Sequence, residues 1–272
     1  MARAAATVAA LCAVGALSAA CSATPTPTAP APVSTTASAR PSASASPTRA
    51  AASARPTDAG TAFTVSGDNP VATNGSQDTY ADVPGASCDS ARLKADQSVG
   101  ASIAGGFSIE GFPAASALLT HFLTGTGTEI GYRPGSTISQ QAQASAGFQT
   151  VNALVQREIA DRLKAGDTRV LLSAGQLPTV LFASTTTDLY WAFRGTQGLT
   201  VSGSGRRENG RYVGALTYVI RDSYGFPVDD TLGGFGPPMR YLQTACGAPQ
   251  HPGGARWFPD TITVRVPFTA SA

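Results

Sequence analysis

The chain has 272 residues, with 19 basic and 17 acidic side chains and a formal net charge of +2 at pH 7. Residues 59–272 alone carry 15 basic and 16 acidic side chains, so this part is almost neutral. A nucleic-acid-binding surface needs clustered positive charge to neutralise phosphates, and this composition therefore excludes nucleic acid as an expected partner.

The first 20 residues read MARAAATVAALCAVGALSAA, one basic residue followed by an uncharged run of Ala, Val and Leu. This layout is typical of an export signal. A membrane-spanning helix needs about 20 strongly apolar residues, and this run is too short and too rich in alanine to make a good one. We therefore predict that residues 1–20 are a signal peptide, with a retained helix as the weaker alternative.

The signal ends in LSAAC, whose last residue is Cys21. This stretch resembles the signal-peptide end of bacterial lipoproteins, in which small residues precede a cysteine that receives a diacylglyceryl group. Members of that family more often have leucine three residues before the cysteine, where this chain has Ser18, with Leu17 one residue further back. The resemblance implies lipidation at Cys21 and a membrane anchor on the extracytoplasmic face. Secretion without a lipid is the alternative.

The composition of the chain also indicates the type of genome that encodes it. It has many arginines and alanines but only two lysines, Lys94 and Lys164. This bias is typical of GC-rich genomes, so the lipoprotein resemblance is of an actinobacterial type.

Residues 22–58 contain only Pro, Ser, Thr, Ala, Val, Arg and one Asp. A segment of this composition cannot bury a core and is expected to stay extended and solvated. A coil of about forty residues reaches on the order of 35 Å. We predict that residues 21–58 form a tether and that residues 59–272 form a single globular domain.

Four cysteines must be assigned. Cys12 lies in the signal and Cys21 is the proposed lipid site, which leaves Cys88 and Cys246 as a pair in an exported domain. Such a pair predicts a disulfide, which in the chain-entropy model would stabilise the domain by about 4–5 kcal/mol. A redox or metal role would need a CxxC spacing or nearby histidines, and the pair has neither.

Two helices are predicted in the first half of the domain. Pro113 suits the first turn of a helix over residues 114–123. A longer helix is predicted from Ser139 to Lys164, because apolar residues recur there at spacings of three or four. These residues are Phe148, Val151, Leu154, Val155, Ile159 and Leu163.

From residue 168 onward the chain reads as short β-rich runs: TRVLLS, PTVLFAS, DLYWAF, LTVSGSGR, RYVGALTYVIRD and TITVRVPF, with FTV at 63–65 as one more. Helices followed by a run of strands predict an α+β domain. We expect the long amphipathic helix to pack on a mostly antiparallel, curved sheet of about five to seven strands.

The most specific local signal is the sequence ENGR, in which Asn209-Gly210 suits a type I′ hairpin turn. The register that this turn fixes places apolar residues of both strands on one face. It also places Asp222 on that inward face, opposite Gln197. We interpret Asp222 first as a structural corner that accepts N–H groups from the following turn, and second as a catalytic carboxylate.

A Gly- and Pro-rich segment from Asp229 to Arg256 precedes the final strand. Long ordered loops are often functional, so this segment is a candidate binding loop. Its candidate ligand-contacting residues are Asp229, Asp230, Arg240 and His251. The other histidine, His121, lies in the apolar run ALLTHFL and is expected to bond to backbone.

No sequence motif in the domain specifies an activity. It has no GxSxG elbow on a strand-to-helix turn, and no motif predicts a cofactor or a metal site. We expect a non-catalytic envelope protein that binds an unknown ligand or protein. The alternative is a secreted hydrolase of cell-wall or polysaccharide substrate that uses two of the acids Asp222, Asp229, Asp230, Glu110 and Glu129.

Aromatic residues supply one further hypothesis. A row of exposed rings could line a carbohydrate groove, although the alternation in DLYWAF favours a core position for Leu189, Trp191 and Phe193. The residues concerned are Tyr190, Trp191, Phe193, Tyr212, Tyr218, Tyr224 and Phe226.

Overall fold

The computed structural model describes residues 60–70, 87–226 and 233–272. The predicted signal peptide, Cys21 and the tether lie outside these residues, as do Asp229 and Asp230. Residues Gly60–Ala272 form one compact unit. Within the part that the structure describes, none of the helices has the length and apolar character that a membrane span requires.

The described residues form six strands and six helices. The strands are β1 (Ala62–Asn69), β2 (Ile130–Tyr132), β3 (Arg169–Leu172), β4 (Gly198–Glu208), β5 (Arg211–Tyr224) and β6 (Phe258–Ser271). The helices are α1 (Ser90–Ile109), α2 (Pro113–Thr124), α3 (Thr137–Ala144), α4 (Ala146–Lys164), α5 (Asp188–Phe193) and α6 (Gly236–Thr244).

All six strands belong to one sheet, in the order β2-β6-β5-β4-β1-β3. The four central strands pair antiparallel, whereas the edge strands β2 and β3 run parallel to their neighbours β6 and β1. The α+β class is therefore confirmed, and the sheet is mixed rather than wholly antiparallel.

The predicted hairpin is confirmed in its turn and in its register. Asn209 and Gly210 have φ angles of 49° and 74°, as a type I′ turn requires. Strands β4 and β5 pair from Glu208 opposite Arg211 to Gly198 opposite Arg221. One step further the pairing changes, because the N–H of Gln197 donates to the Arg221 carbonyl at 2.8 Å. Asp222 instead has a ladder partner on its other side, in β6.

The core lies between the inward face of the sheet and the helices α2 and α4. The Phe148 ring packs edge-on against the buried Tyr218 ring, with the centroids 5.1 Å apart. Alternate strand residues supply the sheet side of this core, as the period-2 pattern predicts. They include Phe63, Val65, Leu199, Val201, Leu216, Tyr218, Ile220, Ile262, Val264 and Val266.

The predicted long helix is in fact two helices, α3 of 8 residues and α4 of 19 residues. They are separated at Ser145, whose backbone is extended (φ −69°, ψ 145°). The Oγ of Ser145 accepts the N–H of Phe148 at 3.2 Å, so this serine caps α4 instead of continuing α3. The apolar stripe of the prediction belongs mainly to α4, where Leu154 alone is largely exposed.

Two further predictions are corrected. The run DLYWAF forms the short helix α5 and not a strand. The run PTVLFAS makes only an isolated bridge, between Leu181 and Gly195. The helix α1 and the strand β2 were not predicted at all.

The segment from Asp229 to Arg256 is not one continuous loop. Its described part contains α6, whose Met239 and Leu242 are fully buried in the core. The predicted disulfide between Cys88 and Cys246 is formed, with the Cα atoms 4.9 Å apart. It ties the start of α1 to the end of α6.

Candidate functional site

The residues proposed for the binding loop are only partly described. Arg240 lies on α6, and His251 lies in the connection to β6, where its N–H donates to the Gly247 carbonyl at 3.2 Å. Asp229 and Asp230 fall outside the described residues. A binding site built from these four residues therefore remains a prediction.

His121 has the structural role expected from its sequence. Its Nε2 lies 2.9 Å from the Thr128 carbonyl oxygen, and its ring packs edge-on against Phe258 at 4.5 Å between centroids. The aromatic groove is not formed by the residues named for it, because Phe193, Tyr218, Tyr224 and Phe226 are all buried. Those rings belong to the core.

The structure contains a cleft that the sequence did not indicate, with a volume of about 780 Å³. Three segments line it: Gly111 and Phe112 before α2, residues 141–147 around the α3–α4 break, and residues 181–189. A concave site of this size falls within the range of small-molecule sites in proteins, about 300–1,000 Å³.

The α3–α4 break forms one wall of the cleft, and Gly147 allows the opposite wall to approach. A Cβ atom at Gly147 would lie 2.0 Å from the Leu181 carbonyl oxygen. Any larger residue would push the two walls apart, so glycine is required here for close approach of the backbones. The sequence ASAG, which appears unremarkable within a helical pattern, thus shapes the cleft.

The second wall, residues 181–189, is held by bonds to the chain that follows it. The N–H of Phe182 donates to the Arg194 carbonyl at 2.8 Å. The indole Nε1 of Trp191 donates to the Thr185 carbonyl at 3.0 Å, and the indole ring also packs against Phe107 and Phe112. These contacts hold the second wall in place.

Among the described residues, Asp188 is the one carboxylate that lines the cleft, and it is already bonded. Its two oxygens accept the backbone N–H groups of Ala114 and Ala115, each at 2.8 Å. These are first-turn N–H groups of α2, which have no partner within the helix, and the helix dipole favours an anion beside them. Asp188 therefore joins α5 to α2.

Three hydroxyl groups of the second wall bond within that wall. Ser184 and Thr186 hydroxyls lie 3.0 Å apart, and the Thr187 hydroxyl donates to the Ser184 carbonyl at 2.9 Å. By contrast, Leu181 is 59% exposed. The cleft thus presents mainly carbon atoms to a ligand.

A second unusual centre lies in the sheet, where β5 pairs with β6. Asp222 of β5 pairs directly with Asp260 of β6, and both lie on the inward face. Asp260 has no exposed surface, and neither of its carboxyl oxygens has a hydrogen-bond partner. Burial raises the pKa of both carboxyls well above their usual range.

Glu129 and Tyr132 interact electrostatically with this acidic centre. The charges of Asp222 and, to a smaller extent, Glu129 further raise the pKa of Asp260. Burial, followed by the charges of Asp260 and Asp188, raises the pKa of Tyr132 to about 12. Gln197, just before β4, also has a buried Oε1 without a partner.

Sequence reasoning missed Asp260, although a signal for it existed. The alternation of inward residues Ile262, Val264 and Val266 extends backward through Asp260 to Phe258, so Asp260 occupies an inward position of the same strand. Among the described residues, no group of three or more His, Cys, Asp and Glu side chains is arranged to hold a metal ion. The centre is therefore a pair of acids within an apolar core.

The chain matches no family model, no curated protein and no solved structure.

Proposed function

We propose that this protein is a lipid-anchored extracytoplasmic envelope protein whose globular domain binds an apolar ligand in the cleft. The composition of the cleft walls carries the proposal. The walls are mainly hydrocarbon, and the carboxylate of Asp188 already accepts two N–H groups of the α2 backbone. A hydrolase would need two titratable groups that converge on its cleft.

The chemistry of the cleft favours an aliphatic chain of an envelope lipid as the ligand. Burying apolar surface stabilises the bound state by about 25 cal/mol per Å² without requiring a charged partner. The predicted tether of about forty residues keeps the domain within a few tens of ångströms of the membrane, where such chains are concentrated. The exposed Leu181 at the cleft would also gain from being covered.

The hydrolase alternative has weaker support. Asp260, the acid that accompanies Asp222, has no exposed surface, so a polymeric substrate would have no access to one member of that pair. Asp229 and Asp230 lie outside the described residues and add no geometry. The binding role is therefore the function that we put forward.

Cleft binding can be tested with the neutral fluorescent probe N-phenyl-1-naphthylamine and with 1-dodecanol as its competitor. Ala144 and Ala183 line the cleft with exposed side chains, so Ala144→Phe and Ala183→Phe fill it without disturbing the core. Each should weaken probe binding by about tenfold or more, which corresponds to about 1.4 kcal/mol. The matched control is Ala95→Phe, on the exposed surface of α1. Equal probe affinity in all three variants would contradict the proposal.

The anchor is tested separately. Cys21→Ser should abolish incorporation of labelled palmitate and release the chain from the membrane fraction. Cys12→Ser, within the predicted signal, is the control and should leave both unchanged. Continued labelling of the Cys21→Ser variant would refute the lipid anchor without affecting the cleft proposal.

A further inference from the structure

The pairing of Asp222 with Asp260 is the least expected feature of the core. Directly opposite residues of antiparallel strands have Cα atoms about 4.5–5.5 Å apart, with side chains on the same face. Two carboxylates in this position would normally repel each other. Here both face inward, beside the buried Ile220 and Ile262.

The backbone offers this pair little compensation. Asp222 accepts the N–H of Ser223, which favours its charged form. The backbone N–H of Asp260 also acts to lower the pKa of its own carboxyl, but neither oxygen of that carboxyl has a hydrogen-bond partner. An isolated buried charge costs several kcal/mol, and such a group usually becomes neutral instead.

Among the residues that the structure describes, the ionisable groups around the pair supply no opposing positive charge to it. Glu129 and Tyr132, from the β2 side, are acidic or phenolic. Asp188, from α5, acts on Tyr132. His121, from α2, faces Phe258, and its Nε2 lies by the Thr128 carbonyl oxygen.

We propose that Asp222 and Asp260 share a proton and act as a pH-sensitive lock on the paired ends of β5, β6 and β2. The proton is covalently bound to an oxygen of one carboxyl and is accepted by the facing carboxylate. When the pH rises it is released to water, and two negative charges remain side by side. Ile130 of β2 pairs with Asp260, so repulsion at this rung loosens both neighbours of β6.

A proton explains the pair better than a metal ion does. Only two carboxylates converge on this rung, and no third His, Cys, Asp or Glu completes a metal site within the described residues. Asp260 also has no accessible surface for the water molecules that usually complete the coordination of Mg²⁺ or Ca²⁺.

The sign of the pH effect follows from proton counting. The folded state holds its carboxyl protons at pH values where the unfolded chain, with a pKa of about 4, has lost them. The contribution of these two carboxyls to the stability of the fold is therefore greatest below about pH 4, and it falls as the pH rises towards their pKa in the folded state. Each proton retained only by the folded state lowers the folded-to-unfolded ratio by up to about tenfold per pH unit.

The test is the urea unfolding equilibrium of the full chain between pH 4 and pH 8.5. The folded-to-unfolded ratio of the wild-type chain should fall as the pH rises. Asp260→Asn should remove most of this fall, and this variant should be more stable than wild type at pH 8. Asp222→Asn should act in the same direction and serves as the second variant if Asp260→Asn does not fold. The control is Asp167→Asn, an exposed acid at the end of α4, which should retain the wild-type slope.

Two further readouts decide the chemistry. The infrared band of a protonated carboxylic acid should be present in wild type at pH 6 and absent in Asp260→Asn. Parallel pH profiles of wild type and Asp260→Asn would overturn the proposal. A rise in wild-type stability on adding Ca²⁺ or Mg²⁺, lost in Asp260→Asn, would also overturn it and identify a cation site instead.

Discussion

Asp188 and Asp260 are both buried, but their surroundings differ in one respect. Asp188 faces the start of a helix, whose first N–H groups are free to donate, and it accepts two of them at 2.8 Å. Asp260 lies within a strand paired on both sides, so the neighbouring backbone groups are engaged in the ladder. Burial alone therefore does not decide whether an acid stabilises a fold. The supply of unpaired donors does.

The largest expected change in the free energy of unfolding comes from removing the Asp188 carboxylate. Asp188→Ala leaves two buried N–H groups of α2 without acceptors, and we expect the free energy of unfolding to fall by about 2–4 kcal/mol. Asp188→Asn keeps one acceptor oxygen and should lose about 1–2 kcal/mol. Urea denaturation at pH 7.5 measures both changes.

Asp260→Asn is the matched control for this prediction, because it makes the same chemical change at the unsatisfied acid. At pH 7.5 it should stabilise the domain, whereas Asp188→Asn should destabilise it. If both substitutions lowered the free energy of unfolding equally, the contrast between the two sites would be wrong.

A smaller effect is expected at the break that forms the cleft. Ser145→Ala removes the cap of α4, and we expect it to cost about 1 kcal/mol. It should also weaken N-phenyl-1-naphthylamine binding, because α3 and α4 would no longer be held apart at a fixed position. Ser136→Ala, which removes the cap of α3 away from the cleft lining, is the control for probe binding. Unchanged binding in Ser145→Ala would show that the cap does not shape the cleft.

Local signals predicted the parts of the fold that depend on neighbours in sequence. The turn Asn209-Gly210 and the alternation on both sides of it determine the β4–β5 register, and the structure agrees from the turn as far as Gly198 opposite Arg221. The helix α4 was likewise predicted from a local signal, the repeat of apolar residues at spacings of three or four. The helix α1 was missed because its buried residues, Gly100, Ala104 and Phe107, include only one large side chain.

The rest of the architecture depends on contacts between distant residues. The run DLYWAF contains no signal that the Asp188 carboxylate will accept the N–H of Ala115, in the first turn of α2 and 73 residues earlier in the chain. A helix of six residues is also too short to display a 3.6-residue period. Asp222 was recognised as inward, but its partner could be found only by knowing that β6 lies beside β5.

Tyr132 provides the smallest and most selective test of the comparison, because both acids act on it. Burial is the main cause that raises its pKa to about 12, followed by Asp260 and then Asp188. Asp260→Asn should therefore lower the pKa of Tyr132 while leaving it above 10, and Asp188→Asn should lower it less. The ¹³Cζ shift of labelled tyrosine, followed as the pH is raised, reports the ionised fraction.

Tyr218 is the internal control for this titration. Burial alone raises its pKa, with no carboxylate contributing, so neither substitution should change it. A raised tyrosine pKa also means that stability falls once the pH exceeds about 10, since the unfolded chain then loses the phenolic proton first. An equal response of Tyr132 to both substitutions would mean that the two acids act on it with the same strength. The pKa of Tyr132 would then not distinguish Asp188, which has hydrogen-bond donors, from Asp260, which has none.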